Sequence, residues 1–414
     1  MIRQKGAISL VVTSLLMVVS LALSVASYRS IFFQIKRAQN EVKSRQEHWI
    51  AEGGLECLYA QAQTTGIPSV PGNCNLESGL NITVTNDGAG KYRVDSKYSH
   101  ARITKHLQYG GNLGTGAIQA SSDLYFHGGV TVSTPDPGKY TNDGWECVAV
   151  RYKSRFRPGE TVNNQGVIHG LSPSENFNSH NKDCASEHFS QNMVSQDKED
   201  FTRDPDVSPF EDFFGVSAEK HEEVRKNGKF HTVNGGVVPG KPRRLENCGE
   251  QLTNLIKSGE KHIWVEGGCE IKTSEYKALV QATQEADGVT IVVHDGILSL
   301  MGKSADATKS DRFKGVLFHF NHNYTPTKSD WNGLDAKGEL YHNNPAITDS
   351  SYTEIAAYYQ HGSFSFSGAQ YFDTPGQSSI FNTSTNFSFD GDVVKKARQA
   401  HRKPTWIAGS WHDF

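Results

Sequence analysis

The side chains with chemistry to offer in this 414-residue chain are 17 histidines, 45 carboxylates and six cysteines. The densest imidazole group is His319-Phe320-Asn321-His322. On a strand, positions 319 and 322 point to opposite faces, so the two rings do not converge on one ion without a bend. His294-Asp295-Gly296 offers a base beside an orienting carboxylate. Neither Gly-x-Ser-x-Gly nor an activated-cysteine context supplies a nucleophile, so the Asp-Gly reads as a turn. Asp390-Gly391-Asp392 and Glu285-Ala286-Asp287-Gly288 lack the Asp-x-Asp-x-Asp-Gly…Glu spacing of a calcium loop. The phosphate-cradling Gly-x-x-x-x-Gly-Lys-Ser/Thr does not occur. The sequence therefore predicts no catalytic residue, no metal and no cofactor. Tyr358, Tyr359, Phe364, Phe366, Tyr371 and Phe372 are candidates for stacking on a sugar or a surface, with the alternating Phe364 and Phe366 read as core-facing.

The cysteines are Cys57, Cys74, Cys147, Cys184, Cys248 and Cys269. An even count in an exported chain fits three disulfides, for which about 15 connectivities are open. Pairing of neighbours (57 with 74, 147 with 184, 248 with 269) is the expectation. The chain holds no Cys-x-x-Cys, which argues against a zinc cluster.

The elements that must position these groups begin with an apolar rod. Ala7 to Tyr28 contains no charged residue. As a helix it is roughly 33 Å long, enough to cross the hydrocarbon core of a bilayer. Plain anchor and secretory signal are the simplest readings of such a segment, the latter with Ser24-Val25-Ala26 as a cleavage site. The pattern continues without proline to about Gln63, with Ile31, Ile35, Ala38, Val42, Trp49, Leu55, Leu58 and Tyr59 interleaved by polar residues. Gly53-Gly54 weakens it locally. A turn-rich linker holding Pro68, Pro71 and Gly72 follows. Residues 80–84, 92–94 and 101–107 then read as a three-stranded antiparallel meander for the helix to lie on.

From about residue 113 short β-rich runs recur, such as Val289 to Val293, Gly315 to Phe318 and Asn386 to Phe389, with glycines near their edges. Irregular strand–turn–strand units of this kind suggest a β-helix, with an antiparallel sandwich as the alternative. Residues 134–260 are rich in proline and polar residues and read as a loop-rich insertion stapled by Cys147 and Cys184. The expected fold class is α+β at the N-terminus, a long helix on a small antiparallel sheet, followed by a mainly-β, β-helix-like part. Its divisions are 1–6, 7–63 (with 7–28 transmembrane), 64–112 and 113–414.

The basic leader ending in Lys5-Gly6, the uncharged helix after it and the later Ala51-Glu52-Gly53-Gly54-Leu55-Glu56 together resemble the N-terminus of type IV pilins. They look most like the PilX class of minor pilins, and Gly409-Ser410-Trp411 with Asp413 is similar to the close of that class's large C-terminal domain. The resemblance covers about 60 residues at the N-terminus and is specific in combination. It implies cleavage by a prepilin peptidase between Gly6 and Ala7, methylation of the new N-terminus, and residence in the inner membrane before assembly. It further implies packing with other minor and major pilins through the helix, and a periplasmic or extracellular place in the pilus. Where major pilins carry Glu, the fifth residue after Gly6 is Val11. A buried carboxylate needs a partner, and the lack of one implies a tip or initiating position rather than the shaft. A surface or carbohydrate ligand would then meet the displayed domain in adhesion. A K-type minor pseudopilin of type II secretion is the neighbouring alternative. A membrane-anchored β-helix carbohydrate-active enzyme is the alternative from a different class.

The totals agree with a stem and a head. Net charge is −3 overall, with seven Lys/Arg against four Asp/Glu in residues 1–60 and 35 against 41 in the rest. Nucleic acid is not expected as the partner of so neutral a chain.

Overall fold

The computed structural model describes residues 6–65, 74, 77–88, 91–109, 116–166, 182–194, 198–227, 229–237, 243–302, 312–343, 350–362, 364–383, 385–401 and 404–413. They form two compact units, one of residues 1–108 with 404–414 and one of residues 109–403.

In the first unit, helix α1 spans Gly6–Thr65, a rod of roughly 90 Å. Its far end is amphipathic. Glu47, Ala51, Leu55, Leu58 and Ala62 recur at steps of three and four residues and are buried. The apolar ones pack with Leu80, Ile82, Val94, Ile103 and Leu107. Those five come from an antiparallel meander of β1 (Leu80–Gly88), β2 (Lys91–Tyr98) and β3 (Ala101–Tyr109).

The sheet does not end there. Residues Pro404–Trp406 flank β3, and His412–Asp413 pair with it antiparallel, His412 opposite Thr104. The boundary expected at 112/113, with everything beyond it in the β domain, is thus corrected. The Gly409, Ser410, Trp411 and Asp413 tail belongs with the N-terminal sheet. Side chains explain why it docks. Trp406 stacks on Tyr59 with ring centroids 5.1 Å apart, and Lys105 Nζ lies 5.3 Å from the Trp406 ring and 6.0 Å from that of Trp411. Lys105 also reaches Glu52 at 3.5 Å and Glu56 at 3.2 Å. The His106 backbone carbonyl accepts the Ile407 N–H at 2.8 Å, and its N–H donates to Ser410 Oγ at 3.0 Å.

The two helix glycines separate here. A Cβ on Gly54 would sit 3.0 Å from Ile82 Cδ1 and 3.1 Å from Ser96 Oγ, while one on Gly53 meets nothing within 4 Å. At Gly54 the helix lies close against the sheet; Gly53 only weakens the helix. We expect Gly53→Ala to stabilise this unit by about 0.5–1 kcal/mol and Gly54→Ile to destabilise it, as read by denaturant midpoints. Equal shifts for the two would contradict the assignment.

The second unit is built of parallel coils. Its strands are β4 (Ile118–Ala120), β5 (Asp123–Phe126), β6 (Val130–Thr134), the hairpin β7 (Tyr140–Thr141) and β8 (Gly144–Trp145), β9 (Val150–Tyr152), β10 (Phe156–Arg157), β11 (Val162–Asn164), β12 (Phe201–Arg203), β13 (His231–Asn234) and β14 (Arg244–Leu245). There follow β15 (His262–Glu266), β16 (Gly268–Ile271), β17 (Val289–His294), β18 (Leu298–Met301), β19 (Phe313–Phe320), β20 (Ala356–His361), β21 (Ser365–Asp373), β22 (Ser378–Phe381) and β23 (Thr385–Ser388). From β13 on, strands alternate between two sheets, in the order β10-β5-β22-β20-β18-β16-β14 and β11-β6-β23-β21-β19-β17-β15-β13. Every pairing along these two paths is parallel. Such a stack is a β-helix, not an antiparallel sandwich.

The coil steps vary. Val289 faces Gly315, 26 residues on, and Phe313 faces Phe366, 53 residues on. Unequal excursions between strands are why no fixed period shows in the sequence. The stack is also out of chain order. The first coil, β4 to β6, stands next to the last ones: Gln370 of β21 faces Ile118, Ser378 of β22 faces Asp123, and Thr385 of β23 faces Val130. Among the described residues, 134–260 hold the short strands β7 to β14, of which β10 and β14 extend one sheet and β11 and β13 the other.

Both faces of these strands are covered, as in parallel sheets generally. Trp264, Val292, Phe318 and Tyr371 stand in one row across β15, β17, β19 and β21. The helix Pro209–Phe214 lies on this row through Phe210, Phe213 and Phe214, with ring centroids 5.4–6.3 Å from those of Phe318, Tyr371 and Trp264. On the other sheet, Tyr125, Tyr359 and Ile380 are covered by Trp331, Leu340 and Tyr352. Full burial of each such aromatic contributes about 1.5–3 kcal/mol.

The sulfur atoms pair as Cys57–Cys74, Cys147–Cys184 and Cys248–Cys269, with Cα separations of 5.6, 5.5 and 5.5 Å. The first ties α1 to the chain after it. The last ties the helix Cys248–Lys257 to β16.

Candidate functional site

The surface that stands out is on α1. Gly6 and Ala7 begin the helix; residues 1–5 lie outside the described residues. Between Ile8 and Gln63 the helix is long and apolar enough to cross a membrane. Four of its hydroxyls are already satisfied. Thr13 donates to the Ser9 carbonyl at 3.0 Å, Ser14 to Val11 at 2.9 Å, Ser20 to Met17 at 2.9 Å and Ser24 to Ser20 at 2.8 Å. Such bonds let hydroxyls sit in a medium without water. Val11, in the position where the pilin resemblance expects Glu, is an exposed apolar side chain.

The apolar surface does not stop where the charges begin. Tyr28, Ile35, Val42 and Trp49 recur every seventh residue, and Trp49 is 71% exposed. Around them run Lys36, Arg37 and the pairs Arg45–Glu41 at 2.6 Å and Lys43–Glu47 at 4.0 Å. A seven-residue apolar stripe on a charged helix is what a second helix packs against.

The other candidates fall elsewhere. Tyr358, Tyr359, Phe364, Phe366, Tyr371 and Phe372 are all at most 2% exposed, so none is a stacking platform. The reading of exposed aromatics is corrected, because coils covered on both faces leave no open side to a strand. His319 and His322 do part. His319 is fully buried and bonded through Nε2 to the Gly296 carbonyl at 2.8 Å, and burial lowers its pKa to about 4. His322 is exposed. Asp295, at φ 52°, accepts the His322 and Asn323 N–H groups at 2.7 and 3.0 Å, so it closes a turn. Asp390 accepts the Asp392 and Val393 N–H groups, both at 3.1 Å, as the N-cap of the helix Gly391–His401. Asp287 is held down to about 2 by hydrogen bonds from Lys314 and Lys396.

Three interior carboxylates are engaged by backbone. Asp373 takes the Phe210 N–H at 3.0 Å and pins the start of the helix Pro209–Phe214. Asp200 takes the Ser190 N–H at 2.8 Å, and Glu270 that of Ala336 at 3.1 Å. Burial raises the pKa of Asp373 and of Glu270. Sequence reasoning missed these clamps and the tail on Lys105. The only trace of Glu270 and Asp373 was an acidic residue beside apolar ones, while Asp200 sits in a charged stretch.

No family profile and no curated protein matches the chain. Among solved structures, the competence-associated pilin ComZ from Thermus thermophilus aligns over 81% of this chain and 84% of its own, at 10% identity and a TM-score of 0.19. A score of that size does not establish a common fold, which rests here on the helix, the sheet and the coils themselves.

Proposed function

We propose that this chain is a structural, non-enzymatic subunit of a type IV pilus-like filament, a minor pilin of the PilX class, processed between Gly6 and Ala7. The observation that carries the reading is α1: apolar and self-satisfied over a membrane's thickness, then an exposed stripe through Trp49, with the opposite face seated on an antiparallel sheet. The helix is held in the inner membrane first and then packs with the helices of other minor and major pilins. Val11 in place of an acidic residue supports a place at the tip or in initiation, since no carboxylate waits there for a neighbour's amine. The unit of residues 109–403 is then the displayed part, serving adhesion to a surface or carbohydrate ligand.

The expected mature chain has lost six residues and gained one methyl group by intact mass. An uncleaved Met1, or a new end after Ala26, contradicts the reading. Gly6→Val is expected to block processing. Val42→Asp is expected to leave folding unchanged and to cut incorporation into filaments at least tenfold; unchanged incorporation would count against the stripe.

A further inference from the structure

Histidines gather where the second unit's sheet is covered. His401 ends the helix Gly391–His401, and its Nε2 lies 3.1 Å from Nδ1 of His262 on β15. Phe230 stacks on His401 with centroids 4.2 Å apart. Some way along the same covering segment, His221 lies 4.9 Å from His294 of β17 and 4.8 Å from His322, between ring centroids. Among the described residues His401 Nδ1 is buried without a hydrogen-bond partner, and buried His294 Nε2 has only Asp295 Oδ2, 3.5 Å away. A neutral imidazole can turn a bare lone pair toward apolar neighbours. An imidazolium cannot, because both nitrogens then carry N–H and the second is left unmatched.

The surrounding charge adds to this. Lys229 and Lys261 act on the His262–His401 pair and, among the described residues, no carboxylate is among the groups acting on it, while Arg398 lies over Phe213 nearby. At the other cluster Arg225 opposes a cation on His294, and Asp295 and Glu222 favour one; Glu219 acts on His322. The His262–His401 pair is therefore the stronger of the two against protonation.

We propose that the cover of this sheet, the segment 209–225 with the helix Gly391–His401, is an acid-released lid held shut by neutral histidines, led by His262 and His401. Burial lowers His262 and His294 to about 4 and His401 well below its ordinary value. These rings bind fewer protons with the lid shut than with it open. Attachment is therefore complete above about pH 6.5 and weakens as pH falls toward 4. Each ring multiplies the opening constant by up to about 30 between pH 7.5 and 5. His319 inside the coils is also neutral, but its protonation would open the coils, not the lid.

Hydrogen exchange on the full chain in detergent, at pH 7.5 and 5.0 and corrected for intrinsic rates, tests this. Peptides covering 209–225 and 391–401 are expected to lose protection at least tenfold at pH 5.0, while those covering 289–293 and 315–319 keep theirs. Lid protection unchanged between the two pH values, or coil peptides opening in step with it, overturns the proposal. His401→Gln is expected to flatten the response, and an undiminished response overturns it too. Should that variant fail to fold, His262→Gln and the wild-type profile decide the same question.

Discussion

Gly368→Ala is expected to abolish the cooperative unfolding transition of the larger unit. Gly368 of β21 and Gly315 of β19 face each other in register, at φ 136° and 152°. A Cβ on Gly368 would stand 2.0 Å from the Gly315 carbonyl oxygen, and one on Gly315 would stand 2.3 Å from that of Val289. The obstacle in each case is backbone held in a ladder on both sides, which cannot swing away as a side-chain tip does. A positive φ adds strain for any residue with a Cβ. The combined cost exceeds about 4–5 kcal/mol, comparable with the whole stability of a domain. Gly376 is the control. It also has positive φ, at 73°, but open space where a Cβ would go, so Gly376→Ala is expected to cost about 1–2 kcal/mol. Calorimetry on the three chains decides it: a Gly368→Ala transition close to wild type would show that the coils can slide apart there.

Truncation after Lys403 has the second-largest expected effect, and it falls on the other unit. The tail covers Tyr59 and Lys105 with Trp406 and Trp411 and completes the hydrogen bonding of β3. Without it β3 becomes an exposed edge and Lys105 keeps only its carboxylates. We expect a loss of about 3–5 kcal/mol, that of a large aromatic with its packing. The Cys57–Cys74 bridge is unaffected and offsets part of this through the unfolded chain, by about 3 kcal/mol for its loop. The readout is the unit's denaturant midpoint in the full chain and in the truncated one. Unchanged midpoints would mean that the tail is ornament. A fall that Trp406→Ala alone reproduces would place the effect in that ring.

Much of this architecture was legible. Ala7 to Tyr28 has no charge and the chain has no proline before Pro68, so a single rod was the only economical reading, and it is one helix to Thr65. The meander was legible from alternation, and the later runs Val289 to Val293, Gly315 to Phe318 and Asn386 to Phe389 sit in or against strands β17, β19 and β23. The candidate groups were harder. Asp390 reads as half a calcium loop in one dimension and is a helix cap in three. Phe364 and Phe366 were read inward by alternation, but nothing local foretold that Tyr358 and Tyr359, adjacent and thus on opposite faces, are both buried. That needs a cover on each side of the strand.

By itself, then, the sequence determined the elements whose cause is local: an uncharged helix, an amphipathic continuation, alternating strands, turn glycines, and a Val11 where a carboxylate would have announced a buried partner. Tertiary structure alone decided which elements meet. Ser378 lies against Asp123 and His412 against Thr104, pairs separated by more than 250 residues. A parallel ladder carries no mark of its partner, because main-chain hydrogen bonds are the same for every sequence and side-chain complementarity appears only once both surfaces exist. The sequence could name the stem. Only folding could place the last ten described residues back upon it, and shut a lid of neutral histidines over the coils between.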